Sequence, residues 1–191
     1  MDFRKAIAGL TLAACALGTA AGAAADDDEV VVHPTLPLYE RDAADVCVAG
    51  RQQIRITLAN IYPQGIAKFD LYGGEENFLD KKGKLRRIRV PAAEPGQRVC
   101  IDVPAPGLYA VASYHDLDAN RKLKKNFLRP SEPFALSNNV VFKELRLPKF
   151  KEAAFQVGER GADIELVYQG KKAGDVPVAV ASNAAGPDDE D

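Results

Sequence analysis

Apolar residues in this chain recur at every second position, and that period decides what it can fold into. Ile54, Ile56 and Leu58 alternate with Gln53, Arg55 and Thr57. Ala67, Phe69 and Leu71 alternate with Lys68 and Asp70, and Ile88 and Val90 with Arg87 and Arg89. Val99, Ile101 and Val103 alternate with Cys100 and Asp102, and Ile164, Leu166 and Tyr168 with Asp163 and Glu165. Successive side chains of extended backbone point to opposite sides, so each run predicts a strand with one face in a core and one in water. Leu108 to Tyr114 is apolar on both faces, which predicts a central strand. Val140 to Leu147 supplies another strand, Val46 to Ala49 a short early one, and Phe150 to Ala154 a brief helical turn. Turn residues end these runs at Tyr62-Pro63-Gln64-Gly65, Tyr72-Gly73-Gly74, Pro95-Gly96 and Ala105-Pro106-Gly107. The expected fold is all-β: a single immunoglobulin-like or transthyretin-like β-sandwich of about seven to eight strands. Phe69, Phe78, Tyr109, Phe142 and Phe155 are its expected aromatic core.

The two ends read differently. Residues 1–25 have the form of a signal peptide: Arg4 and Lys5, an uncharged Ala/Leu/Gly run, then Ala23-Ala24-Ala25 before Asp26. The run is short and Ala-rich against the about 20 strongly apolar residues of a membrane span, so no transmembrane span is expected in the mature form. Leu12-Ala13-Ala14-Cys15 resembles a lipobox and leaves a lipid anchor at Cys15 as the alternative. Residues 26–45 read as a flexible acidic leader, with a possible short strand at Val30 to Val32. Residues 171–191 are rich in Ala, Gly and Asp and read as a disordered acidic tail. The sandwich then occupies residues 46–170. The expected location is periplasmic or extracellular.

In an oxidising compartment an isolated pair such as Cys47 and Cys100 most often forms a disulfide, the alternative being two buried thiols. The two lie 53 positions apart. Closing such a loop stabilises by roughly 4 kcal/mol on chain-entropy grounds. Charge is near balance, 25 Lys and Arg against 27 Asp and Glu, so composition makes no case for nucleic acid.

An ordered set of motifs follows the central strand. Pro106-Gly107-Leu108-Tyr109-Ala110-Val111 runs into Tyr114-His115-Asp116-Leu117-Asp118-Ala119-Asn120. Asn126-Phe127-Leu128, Ser137-Asn138-Asn139 and Leu147-Pro148-Lys149-Phe150-Lys151-Glu152-Ala153-Ala154-Phe155 come after it. Together they resemble the bacterial family called domain of unknown function 2141, over about Gln53 to Tyr168. The resemblance implies an exported, sandwich-like module and no known activity. The family's usual loop glycine is replaced here by Arg121, and a later aspartate by Lys124.

The candidate ligand loop runs from His115 to Asn139 and offers His115, Asp116, Asp118, Asn120, Asn126, Ser137, Asn138 and Asn139. Asp116, Asp118 and Asn120 have the spacing of the first three calcium-loop ligands, whose oxygens converge on one cation if the backbone coils. Arg121 and Phe127 stand where such a loop wants Gly and a carboxylate. The competing reading is a turn in which those side chains bond nearby backbone N–H groups. No cofactor is otherwise expected. Ser113, His115 and Asp116 hint at hydrolysis, but alternation separates Asp116 from the other two. No nucleophile, base and orienter stand in series, so no catalytic residue is assigned.

Two basic runs complete the inventory: Lys81, Lys82, Lys84, Arg86, Arg87 and Arg89, then Arg121, Lys122, Lys124, Lys125 and Arg129. Arg87 and Arg89 share their strand's expected solvent face as a basic stripe. Such a stripe suits an anionic envelope polymer, although the acidic tails can fold over it and screen it. Another envelope protein is the alternative partner. The expected function is therefore a non-enzymatic envelope or secreted binding module. The first alternative is a calcium-stabilised adhesion or accessory domain, and the second a hydrolase.

Overall fold

The computed structural model of the chain describes residues 30–33, 36–123, 125–126, 129–141 and 146–170. The expected signal peptide, its Cys15 alternative, the C-terminal tail and Phe142 lie outside them. The chain opens with a hairpin of β1 (Val30–His33) and β2 (Leu36–Tyr39), then a 3-10 turn at Glu40–Asp42. Next come β3 (Gln53–Ala59), β4 (Ile66–Tyr72), β5 (Lys84–Pro91), β6 (Arg98–Asp102) and the long β7 (Gly107–Asp116). A two-residue pair, β8 (Lys125–Asn126) and β9 (Arg129–Pro130), precedes β10 (Phe134–Leu136). A helical turn α1 (Phe150–Ala153), β11 (Phe155–Val157) and β12 (Ala162–Val167) complete the order.

Two sheets form a β-sandwich. The larger has the order β10-β7-β4-β5, with β11 beside the start of β7. The smaller is β12-β3-β6, in which β12 runs parallel to β3. The alternation sets the register. Ile164, Ile56 and Val99 lie side by side across the smaller sheet, and Ile88, Phe69, Ser113 and Ala135 across the larger. These inner faces meet in one core that includes Ile54, Leu58, Leu71, Val111 and Leu166. Each fully buried large aliphatic or Phe side chain contributes about 1.5–3 kcal/mol, so the facing sheets are the main source of stability. β7 is central, with β4 on one side and β10 and β11 on the other.

Several expectations are corrected. Lys68, Asp70 and Arg89 alternate as predicted, but their face of the larger sheet is not in water. All seven residues of β4 are buried. Part of that outer face lies under a second apolar cluster, in which Tyr72 and Ala110 pack with Phe150 and Ala153 of α1 and with Phe78. Phe78 thus belongs to this outer layer, whereas Phe69 and Tyr109 fill the main core and Phe155 packs at its margin. Residues 46–49 form no strand and are exposed. Val140 and Val141 also lie outside any strand; residues 142–145 fall outside the described set.

The leader is not free along its whole length. Cys47 is bonded to Cys100, with the Cα atoms 5.3 Å apart. Just before it, the Asp45 backbone N–H donates to Cys100 O at 3.0 Å. The Asp45 carboxylate accepts from Asp102 N at 2.6 Å and from Arg86. The disulfide therefore fastens a segment that β5 already holds by charge and β6 by hydrogen bonds. Residues 36–42 lie against β5 as a strap.

Candidate functional site

The outer face of the larger sheet carries the densest group of buried charges among the described residues. Register puts Arg89, Lys68, Tyr114 and Phe134 in one row, and Arg87, Asp70, Ala112 and Leu136 in the next. Buried charge is costly unless countered, and the rows show how it is countered. Lys68 Nζ lies 3.0 Å from Asp70 and 4.8 Å from the centre of the Tyr114 ring. Lys84 and Arg87 also reach Asp70. Burial pushes the Lys68 ammonium down to about 7, against the pull of Asp70. Burial also opposes the charge on Asp70, but Lys68, Lys84 and Arg87 outweigh it and hold that carboxyl below its ordinary range. The two directions agree physically: three cations share one carboxylate, so the anion gains while the cations repel.

Arg89 is only 4% exposed and is answered from outside the sheet. Its partner is Asp42, at the end of the strap and equally buried. The expected basic stripe is thereby corrected. Arg87 and Arg89 do share a face, but the acidic leader covers Arg89 and Asp70 partners Arg87. Tyr39 of the strap lies under Arg121, whose guanidinium carbon is 4.3 Å from the ring centre. Arg121 is 5% exposed, and its Nε and Nη1 have no hydrogen-bond partner among the described residues; nor has Arg89 Nε.

The turn after β7 is built by its own side chains. Asp116 accepts from Asn120 N at 3.2 Å and Arg121 N at 2.6 Å. Asn120 donates through Nδ2 to Asp118 and accepts from Lys122 N. This is the Asx-type turn of the competing reading. Asn120 spends both polar ends within it. The third carboxylate near Asp116 and Asp118 is instead Glu132, with one oxygen of each within 4.8 Å of the others. Glu132 comes close because His115 N bonds to Pro133 O across the β7–β10 pair, a neighbourhood that sequence spacing does not reveal. Burial, then the bond with Asp118, pushes the Asp116 carboxyl up to about 7, against the Arg121 and Asn120 N–H groups. Gly65 makes this corner possible. It sits at φ +70°, and a Cβ there would be 2.0 Å from Asp116 O.

The remaining candidates serve the fold. Ser113 and His115 face inward, as alternation predicts. Ser113 Oγ donates to Lys68 O and meets the Tyr168 hydroxyl, and His115 packs edge-on against Tyr168. Ser137 Oγ accepts from Val111 N and donates to Ala153 O. Asn138 bonds the carbonyls of Glu152 and Ala154, and Asn139 accepts from Val167 N. The Ser-Asn-Asn segment thus pins α1 and β12 to β7. Both asparagines have positive φ, a conformation Asn tolerates better than most residues. Asn126 lies in β8, and its side chain falls outside the described set.

His115 supplies a test of this arrangement. Its side chain is fully buried, and Nε2–H donates to Gln64 O at 2.5 Å, leaving Nδ1 without a partner among the described residues. Burial pushes its pKa below the ordinary value, despite that backbone bond. The unfolded chain therefore takes up a proton that the folded one resists, so the His115 contribution to stability falls as pH drops below about 6.5. Asp116, raised to about 7, contributes the opposite slope over the same range, so the His115 term is read as a difference. In denaturant unfolding between pH 7 and 5, His115→Gln should gain stability relative to the wild type as pH falls, by up to about 1.4 kcal/mol per pH unit. A difference that stays constant with pH would contradict a neutral, buried His115.

Comparison with known proteins adds one match. Residues 58–165 match the family described as "Uncharacterized protein conserved in bacteria (DUF2141)". No curated protein and no solved structure matches the chain. The matched span runs from the end of β3 to β12, and it holds the charged outer face, the Asp116 turn and the Ser-Asn-Asn pin. Over more than half its length, then, the chain carries that family's pattern, and it belongs to the bacterial family DUF2141.

Proposed function

We propose that this protein is an exported, non-enzymatic binding module that takes an anionic partner on the outer face of its larger sheet. One observation carries the reading: Arg89 and Arg121 are buried on that face with N–H donors left over. A guanidinium has five donors and no acceptor, and its fork matches carboxylate or phosphate oxygens. Burying such donors without acceptors costs free energy, which an oxyanion would recover. The bond between Cys47 and Cys100 suits an oxidising compartment, and no described helix is long and apolar enough to cross a membrane. His115 faces the core and Asp116 the opposite side, which supports a binding role over hydrolysis. Titration calorimetry at low salt with polyglutamate, a polyuronate and polyphosphate should show binding to at least one, weakened by salt. Silence with all three at low salt, in the wild type and in Asp42→Asn alike, contradicts the reading.

A second reading has its own observation. The clustered carboxylate oxygens of Asp116, Asp118 and Glu132 suit a hard divalent cation such as calcium, which prefers oxygen ligands. The cation would brace the turn beside Arg121. Millimolar calcium should then raise the melting temperature by a few degrees, chelator should reverse the gain, and Asp118→Asn or Glu132→Gln should abolish it. Identical melting with calcium and with chelator removes this reading.

A further inference from the structure

The strap over the outer face is itself a peptide, and its contacts describe a ligand. Asp42 places a carboxylate on Arg89, and Tyr39, three residues earlier, places a ring under Arg121. Leu38 beside it is buried. We infer that residues 36–42 act as a latch occupying a peptide-binding site, which also accepts an acidic segment of a partner protein carrying an aromatic residue and a carboxylate at the same spacing. This inference rests on the binding reading above and narrows its partner to a polypeptide.

Three observations point the same way. First, the latch leaves the site partly unanswered: Arg89 Nε and Arg121 Nε and Nη1 remain buried without acceptors among the described residues. A ligand with a second acidic group fills what Asp42 alone does not. Second, Arg121 adopts φ +63°, the left-handed region that favours glycine. An arginine held there costs of order 1 kcal/mol more than glycine would. That side chain is then buried over the latch, so the backbone strain accompanies a specific guanidinium placement. Third, the latch is the second strand of the β1–β2 hairpin and the 3-10 turn after it; among the described residues that hairpin pairs with neither sheet, and both sheets begin later in the chain. Release of residues 36–42 therefore breaks no ladder of either sheet. Asp45 and the Cys47–Cys100 bond stay as the hinge end.

A covalently attached latch competes at roughly millimolar effective concentration, so the resting chain binds a free peptide weakly. The probe is a synthetic peptide of the latch itself, residues 36–42, titrated into the full-length chain and followed by nuclear magnetic resonance or fluorescence anisotropy. Asp42→Asn in the protein should raise affinity for this peptide about tenfold or more over the wild type. Tyr39→Ala in the protein should do the same, and it provides the reading if Asp42→Asn does not fold. A peptide with the Asp42→Asn change should lose the gain. In the latch-weakened background, Arg89→Gln should abolish binding. Arg121→Gly should also abolish it while leaving the fold intact, because glycine relieves the backbone at that position. Equal peptide affinity in the wild type and both latch variants overturns the inference, as does retained binding in Arg121→Gly. If the latch variants bind polyuronate or polyphosphate but not the peptide, the latch inference fails while the anionic-partner reading stands. If they bind none of these, both fail.

Discussion

An ionised side chain withdrawn from water needs an opposite charge beside it, and the outer layer of this protein is organised by that requirement. The inner layer is simpler: two sheets hide alternate apolar residues from solvent. β4 belongs to both. Its inner side gives Ala67, Phe69 and Leu71 to the core, while its outer side gives Lys68 and Asp70 to a covered, charged surface. A charged row on a covered strand is unstable without counter-ions from elsewhere, because burying one ion alone costs several kcal/mol. Asp70 answers Lys68, Lys84 and Arg87 from within the sheet. Arg89 has no such neighbour in its row, and Asp42 reaches in from the strap.

Covering the outer face has consequences along the chain. The strap must lie close to β5, and Asp45 and the Cys47–Cys100 bond fix where it ends. The β7–β10 pairing must bring Glu132 beside the Asp116 turn, and Gly65 must let the backbone approach there. Even Tyr114 records the crowding: burial, and then Asp116, raises its hydroxyl above the ordinary value. The arginines of the face are thus buried with donors in excess of the acceptors found among the described residues.

Much of this was legible in the sequence. The strands at Gln53–Ala59, Ile66–Tyr72 and Ala162–Val167 follow from the two-residue period, and the central place of β7 from its double apolar face. The cysteine pair and the short helix at Phe150 were legible for equally local reasons. What alternation does not report is what lies above a face. It separates Arg87 and Arg89 from Ile88, but it assigns them to water by default, because their partners, Asp70 on β4 and Asp42 in the strap, 47 positions from Arg89, are not neighbours in the run. Glu132 was missed for the same reason: its closeness to Asp116 depends on β10 folding back along β7. The Ser-Asn-Asn segment showed its polarity in the sequence but not its role, since its partners are backbone groups of α1 and β12. Val46 to Ala49 looked like a strand by composition, yet the segment is exposed and tied only through Cys47 and its neighbours.

The central claim is that the leader's Asp42 and the sheet's Arg89 are energetically joined across the outer face. A double-mutant cycle in denaturant unfolding, with Asp42→Asn, Arg89→Gln and the pair together, measures that joining directly. The account predicts a coupling energy of about 1–3 kcal/mol, as expected for a contacting, buried charge pair. Additive single effects, with a coupling indistinguishable from zero, would mean that the strap does not rest on Arg89, and the description of the outer face would be wrong.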